Sequence, residues 1–270
     1  MARWTGEVGN SAIGTNSAIQ GVAQGLYEES SVQMGPIGAK REMEDGRVFR
    51  YAHFVAAVNR GVLCSQDVSV SAFGPIDGKA TAAAIGATQI TLTDTDTFSS
   101  ADAADVYAGG YLFIEDDAGE GHMYRIKGNA IGTAAGVMVM DLYDGLDIAI
   151  TTATDAAAIG NKWKNCLIAS PADSILAGVS VSSGLAASYY GWLQTWGPAN
   201  VLCEIVASSA PSIGNPAFLD DAVDGAVMAF GGVASNTTIN AGDWDTPYVG
   251  DFLYTGTDGA HVGVDLKIAI

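Results

Sequence analysis

Positive charge is scarce in this chain of 270 residues: 12 Lys and Arg stand against 30 Asp and Glu, a formal charge of −18 and a pI near 4.2. Affinity for nucleic acid rests on cations that neutralise phosphates, so the composition argues against DNA or RNA as a partner. The acidity serves instead to keep the particle soluble and to repel polyanions. Charge of either sign is sparse, at 16% of residues, where globular domains carry ~25%. With 49% hydrophobic residues and a positive mean hydropathy, the exterior must be built largely from Ala, Gly, Ser and Thr. Such a surface suits a protein that covers its outside with copies of itself or with a larger assembly; a monomer with a Ser/Thr-rich β-surface is the alternative.

Cysteine is nearly absent. Cys64, Cys166 and Cys203 lie far apart with no C-x-x-C spacing, and an odd count excludes a complete disulfide framework. Cys166 and Cys203 fall in apolar, strand-like runs and read as buried free thiols. No apolar run reaches the ~18 residues of a membrane-spanning helix, and Met1 to Glu7 lacks the apolar core of a secretory signal. No membrane partner is expected.

Catalytic signatures are missing too. The P-loop, H-E-x-x-H and G-x-S-x-G patterns do not occur. His53, His122 and His261 are dispersed, which gives no local metal cluster, and no Ser or Cys sits in a recognisable nucleophile setting. Carboxylates cluster at Asp94 with Asp96, at Glu115-Asp116-Asp117 with Glu120, and at Asp220-Asp221 with Asp224. Each could contribute to a calcium site, but none has the EF-hand spacing, and solvated turns are the preferred reading. No catalytic residue, metal ligand or cofactor is assigned, and the protein is not expected to be an enzyme.

What is present is β-patterning. A 27.6 kDa chain can form one large β-domain or two smaller ones, with roughly 11,000 Å² exposed when folded against about 40,000 Å² for the open chain. The richest stretch is Tyr189 to Leu202, where Tyr190, Trp192 and Trp196 share one face of an extended chain with Gln194 between them. Gly197-Pro198 then predicts a break, with Val201, Cys203 and Ile205 resuming as a second strand. Trp244 and Tyr248 are assigned to a later loop. Earlier, Asp45-Gly46 signals a turn into a strand with Phe49, Tyr51 and Val55 inward and Arg50 outward. His53 on that inward face reads as a hydrogen-bonded core histidine.

Ile90 and Leu92 predict a half-buried strand, and Val137 to Leu142, apolar on both faces, a central sandwich strand. Tyr111 to Ile114 and Met123 to Lys127 predict a hairpin, with Tyr124 and Ile126 opposite to Arg125 and Lys127. Val262, Val264, Leu266, Ile268 and Ile270 line one face of a closing strand. The expected structural core therefore includes Tyr190, Trp192, Trp196, Phe49, Tyr51, Leu112, Ile114, Tyr124 and Ile126.

The count of short strands predicts an all-β fold, sandwich or barrel-like, with few or no long helices. Residues 1–35, rich in Gly, Ser, Asn and Gln, are expected to form an extended N-terminal arm lying on a neighbouring subunit, with a disordered tail as the alternative. Residues 36–80 and 171–270 make a main β-domain. Residues 81–170 make a second block, either inserted into it or standing alone.

Gly46 to Tyr51, followed by Gly61-Val62-Leu63, resembles the first strands of tailed-bacteriophage head decoration (cement) proteins. The hairpin from Gly109-Gly110-Tyr111 through His122 to Asn129 is similar to a block in such virion proteins, as is Tyr190 to Ala199. The resemblance covers about residues 35–205. It implies a protein without catalytic residues, bound to the outer surface of an expanded capsid as a homo-oligomer, commonly a trimer at or near threefold axes. Its partner would be the major capsid protein of the same virion, and its task to bridge capsomers. Another virion structural role (tail, receptor-binding or major capsid protein) and a glycan-binding β-protein remain as alternatives.

Overall fold

A computed structural model describes residues 22–67, 76–94, 103–170, 175–182, 184–205, 210–229 and 246–270. Among them there are sixteen strands and no helix. The chain divides into two compact units, residues 1–66 with 162–270, and residues 67–161 inserted between them.

In the main unit the strands are β1 (Lys40–Glu42), β2 (Val48–Phe54), β3 (Leu63–Gln66), β10 (Cys166–Ile168), β11 (Ile175–Ser180), β12 (Tyr189–Leu202), β13 (Pro216–Leu219), β14 (Val227–Ala229), β15 (Tyr248–Phe252) and β16 (His261–Lys267). They form one sheet in the order β1-β2-β10-β3-β11-β12-β16-β15-β13-β14, and a further β2–β12 pairing closes β2, β10, β3, β11 and β12 into a ring. β12 is the hub. Its first half pairs with β2, its second half with β16, and Trp196 is matched to Val48 on one side and Lys267 on the other.

The strand does not break at Gly197-Pro198, contrary to the sequence expectation. The missing N–H of Pro198 is tolerable because β2 ends at Val48, opposite Trp196, and leaves that edge of β12 free. The irregularity is a bulge instead: Gln194 faces Phe49 and Trp196 faces Val48, so Thr195 is the extra residue. Gly197 follows at φ 79°, a conformation that favours glycine. The buried Gln194 amide secures the kink by donating to the carbonyls of Trp196, Gly197 and Pro198 at 3.2, 3.3 and 2.8 Å. The same bulge turns Trp196 away from the face shared by Tyr190 and Trp192, because a register step of one reverses a side chain's face. Trp196 and Tyr190 are accordingly half-buried, while Trp192 is fully buried.

Both faces of the β2–β12 pair are covered. On one, Ala52, Phe54 and Leu193 pack with Val62, Cys64, Cys166 and Ala177. On the other, Phe49, Tyr51 and Trp192 pack with Val22, Ala39 and Val181. β2 therefore lacks the simple inward–outward alternation its sequence suggested. The covering piece on the second face is the described part of the N-terminal arm. Residues 22–35 lie on the chain's own main unit, not on a neighbour as expected: Ser30 bridges Tyr190, and Gln24 Nε2 donates to the carbonyls of Glu28 and Tyr190. Residues 1–21 of the expected arm lie outside the described residues. A third cluster, from Leu63, Val179, Val201, Cys203, Leu219, Val249, Phe252, Val262, Val264 and Leu266, holds β16, β15, β13 and β14 to the ring.

The inserted unit is a closed antiparallel barrel of β4 (Ile76–Ala80), β5 (Gln89–Thr93), β8 (Val137–Leu142), β7 (Met123–Asn129), β6 (Tyr111–Asp116) and β9 (Asp155–Ile159), in that order. Alternation works here as written in the sequence: Ile90, Leu92, Leu112, Ile114, Tyr124, Ile126, Met138, Met140 and Leu142 fill the interior with Ala156 and Ala158. Each large apolar side chain so buried contributes about 1.5–3 kcal/mol, and closure removes the unpaired edges an open sheet would expose.

Three expectations need correction here. β8 is a barrel strand with Asp141 exposed, not a sandwich strand buried on both faces. Tyr248 opens β15 instead of lying in a loop, and Trp244 lies outside the described residues. The unit boundaries fall at 66/67 and 161/162, not at 80/81 and 170/171, because β4 pairs with β5 and β9 inside the barrel while β10 pairs with β2 and β3 in the main sheet.

Candidate functional site

Concave and exposed features occur on each unit separately. On the main unit a groove of about 520 Å³ is lined by Tyr27, Arg47, Arg60, Asn200, Leu253 and Tyr254 among others. The turn Asp45-Gly46 positions Arg47, whose Nε donates to Asp45 Oδ2 at 2.7 Å. Burial works to lower the pKa of this guanidinium, but hydrogen bonds to Asp45 and Tyr27 raise it, so Arg47 stays charged. Arg60 lies 5.6 Å from the centre of the Tyr27 ring, a cation–π contact. Ser180, the only serine lining the groove among the described residues, donates its hydroxyl to the Asn59 carbonyl. The groove can hold an anionic or hydroxyl-bearing group by charge and stacking.

On the barrel, β6 and β7 present alternate residues outward. Tyr111 pairs with Arg125 and Phe113 with Met123 across the hairpin. Tyr111, Phe113 and Met123 are exposed at 42%, 38% and 57%, and Tyr143 beside them at 52%, values that mark an apolar patch large side chains usually avoid. Arg125 sits 4.8 Å over the Tyr143 ring, and Lys127 follows two residues on. A separate acidic cleft of about 440 Å³ lies among Asp77, Lys79, Asp94, Glu115, Asp116 and Asp155, on β4, β9 and the ends of β5 and β6. Lys79 is tied to Asp155 there at 2.5 Å.

The histidines, the cysteines and Asp220 are spent on structure. His53 shares a 3.2 Å hydrogen bond with Asn165 and packs against Tyr190 at 4.8 Å. Burial lowers its pKa, Asn165 opposes that shift, and the charge of Lys164 adds to it. His122 and His261 each meet a backbone carbonyl, of Gly119 and Arg60. All three cysteines are buried and free. Burial drives the Cys64 and Cys166 thiols well up, and Cys203 up to about 11, so they are poor nucleophiles. Asp220 is no solvated turn residue: it is fully buried and accepts from the Ala222 and Val223 amides at 2.8 and 2.6 Å. Among the described residues no group of three or more His, Cys, Asp or Glu is arranged to hold a metal ion.

Of the residues assigned to the core, Phe49, Tyr51, Trp192, Leu112, Ile114, Tyr124 and Ile126 are buried. Tyr51, Tyr190 and Trp192 come together as a ring cluster, with Tyr51 5.3 Å from Trp192 and 6.1 Å from Tyr190. The structure splits the set between the two units. Sequence reasoning missed Tyr27, Arg60, Asp77 and Asp155; outward parity in β4 and β9 was the signal for the two acids, and nothing local marks the other two.

No family model, no curated protein and no solved structure matches this chain.

Proposed function

We propose that this protein is a decoration (cement) protein of a tailed-bacteriophage head, bound to the outer surface of the mature capsid and bridging its capsomers by contacts with the major capsid protein. The observation that carries the reading is where the resembling segments lie. Residues 46–51 and 190–199 fall mostly on β2 and β12, which pair with each other at the centre of the main unit, and residues 109–129 supply the β6–β7 hairpin of the barrel. The resemblance thus bears on the framework of both units, not on scattered loops. An exterior poor in charge, with large apolar side chains exposed on β6 and β7, suits a protein that works by adhesion. Weak contacts repeated over a trimer and a shell give strong retention through effective concentration, and a closed homo-oligomer is the usual form of such an assembly.

The test is co-sedimentation of the purified chain with expanded and with unexpanded heads. Retention on expanded heads, with increased resistance of those heads to heat or chelator, is expected. A protein that remains in the supernatant with both forms is no decoration protein.

A glycan-binding role is the second reading, favoured by the groove that carries Tyr27, Tyr254, Arg47 and Arg60. Binding of an oligosaccharide that is lost in Arg60→Ala would support it.

A further inference from the structure

The barrel unit is strongly acidic, with fourteen Asp and Glu against three Lys and Arg over residues 67–161, a formal −11. The three cations are not spread evenly. Lys79 is bound to Asp155 inside the acidic cleft. The other two, Arg125 and Lys127, stand on one outward face of β7, and among the described residues neither has a carboxylate within ion-pair distance. Around them lie Tyr111, Phe113, Met123 and Tyr143, the last held under the Arg125 guanidinium. An apolar, aromatic centre edged by arginine has the composition of a protein interface. Its positive edge calls for an acidic partner, on a molecule whose own surface is otherwise acidic.

That partner is available on the same unit. The cleft with Asp77, Glu115 and Asp116 is concave and negative, and it runs from the end of β6 over β9 to β4, which stands three strands from β7 across the six-stranded barrel. We propose that copies of this chain associate head to tail through their barrels, Arg125 and Lys127 of one copy entering the acidic cleft of the next while Tyr111, Phe113, Met123 and Tyr143 pack beside it. A contact between two different patches is heterologous, so it generates either a closed ring or an open filament. The closed ring is the form that matches the trimer of the preceding proposal. The inference deepens the trimer of the preceding proposal and rests on it, by naming the surfaces that meet. Charge complementarity also fixes the salt response, since exposed ion pairs are screened within ~8 Å at physiological ionic strength.

Sedimentation equilibrium of the full chain tests this. Wild type is expected at three times the 27.6 kDa chain mass, and Arg125→Glu/Lys127→Glu at the mass of one chain. Reversing the cleft in the same molecule, by adding Asp77→Lys and Glu115→Lys, should restore the assembly, because the pairing is regained with exchanged signs. Phe113→Ser, which leaves the charges alone, should weaken association at least tenfold. All these side chains are exposed, so circular dichroism should show an unchanged fold. If wild type assembles but the double charge reversal leaves its mass unaltered, or the fourfold variant fails to reassemble, this interface is wrong while the oligomeric reading stands. A wild type that stays monomeric overturns both.

Discussion

The indole N–H of Trp192 donates to the backbone carbonyl of Gln24 at 3.2 Å, across 168 positions of sequence. Gln24 is itself buried, and its side chain closes the contact in two further directions: Nε2 donates to the Tyr190 carbonyl at 2.8 Å, and Oε1 accepts from the Tyr51 hydroxyl at 2.7 Å. Arg41 lies 4.5 Å over the Trp192 ring and donates to the same Gln24 carbonyl. One glutamine therefore ties the leading segment to the aromatic face of β2 and β12.

Gln24→Ala should lower stability by about 1–3 kcal/mol, the cost of leaving buried partners unsatisfied. Exposed Gln33, whose side chain donates to the Gly35 carbonyl two residues away, should change it by less than ~0.5 kcal/mol when replaced by Ala. Urea unfolding midpoints of the two variants measure the difference, and equal shifts would contradict the role given to Gln24.

Gln194 and Gly197 make a second test, at the bulge of β12. Gln194→Ala strips three carbonyls of their shared donor, for an expected loss of ~1–3 kcal/mol. Gly197→Ala forces an L side chain to φ 79° with its Cβ 3.2 Å from Arg47 Cγ, and the left-handed conformation alone costs roughly 1–2 kcal/mol. Thermal melts should show both variants folded but less stable. Wild-type melting temperatures would remove the bulge from the account of this strand.

His53 gives a pH dependence with a definite sign. Burial, opposed by Asn165 and aided by Lys164, holds its folded pKa below the ordinary value, which is about 6.5 in an unfolded chain. The unfolded state therefore takes up the proton first. Its contribution to stability is complete above about pH 6.5 and falls as pH drops through that value toward the folded pKa, levelling off below it. His53→Gln should flatten this decline as pH falls through about 6.5. The carboxylates held low by hydrogen bonds, Asp117 and Asp251, titrate in a more acid range and leave the difference curve untouched. An identical slope in variant and wild type refutes the assignment.

Thiol reactivity reports the three cysteines. With Cys64, Cys166 and Cys203 buried and their pKa values raised, a chromogenic disulfide reagent at about pH 8 should modify none of them rapidly in the native protein. All three should react in guanidinium. Fast modification of one native thiol would place it outside the core.

The sequence by itself determined the all-β class, the hairpin of β6 and β7, the inward sets Ile90 with Leu92 and Tyr124 with Ile126, and the burial of Cys166 and Cys203. Each is a local consequence of a two-residue period, where a side chain's face follows from its position in the strand. Tertiary structure alone decided that Tyr189 to Leu202 is one strand, since whether Pro198 interrupts it depends on β2 ending at Val48, a residue far earlier in the chain. It also decided that Trp196 leaves the face of Trp192, because a bulge exists only relative to a partner strand. The same holds for residues 22–35, whose polar composition hides how Gln24 packs, and for the acidic cleft, which closure of the barrel assembles from Asp77, Glu115 and Asp155. Pairing between distant segments carries that information, and no local pattern encodes it.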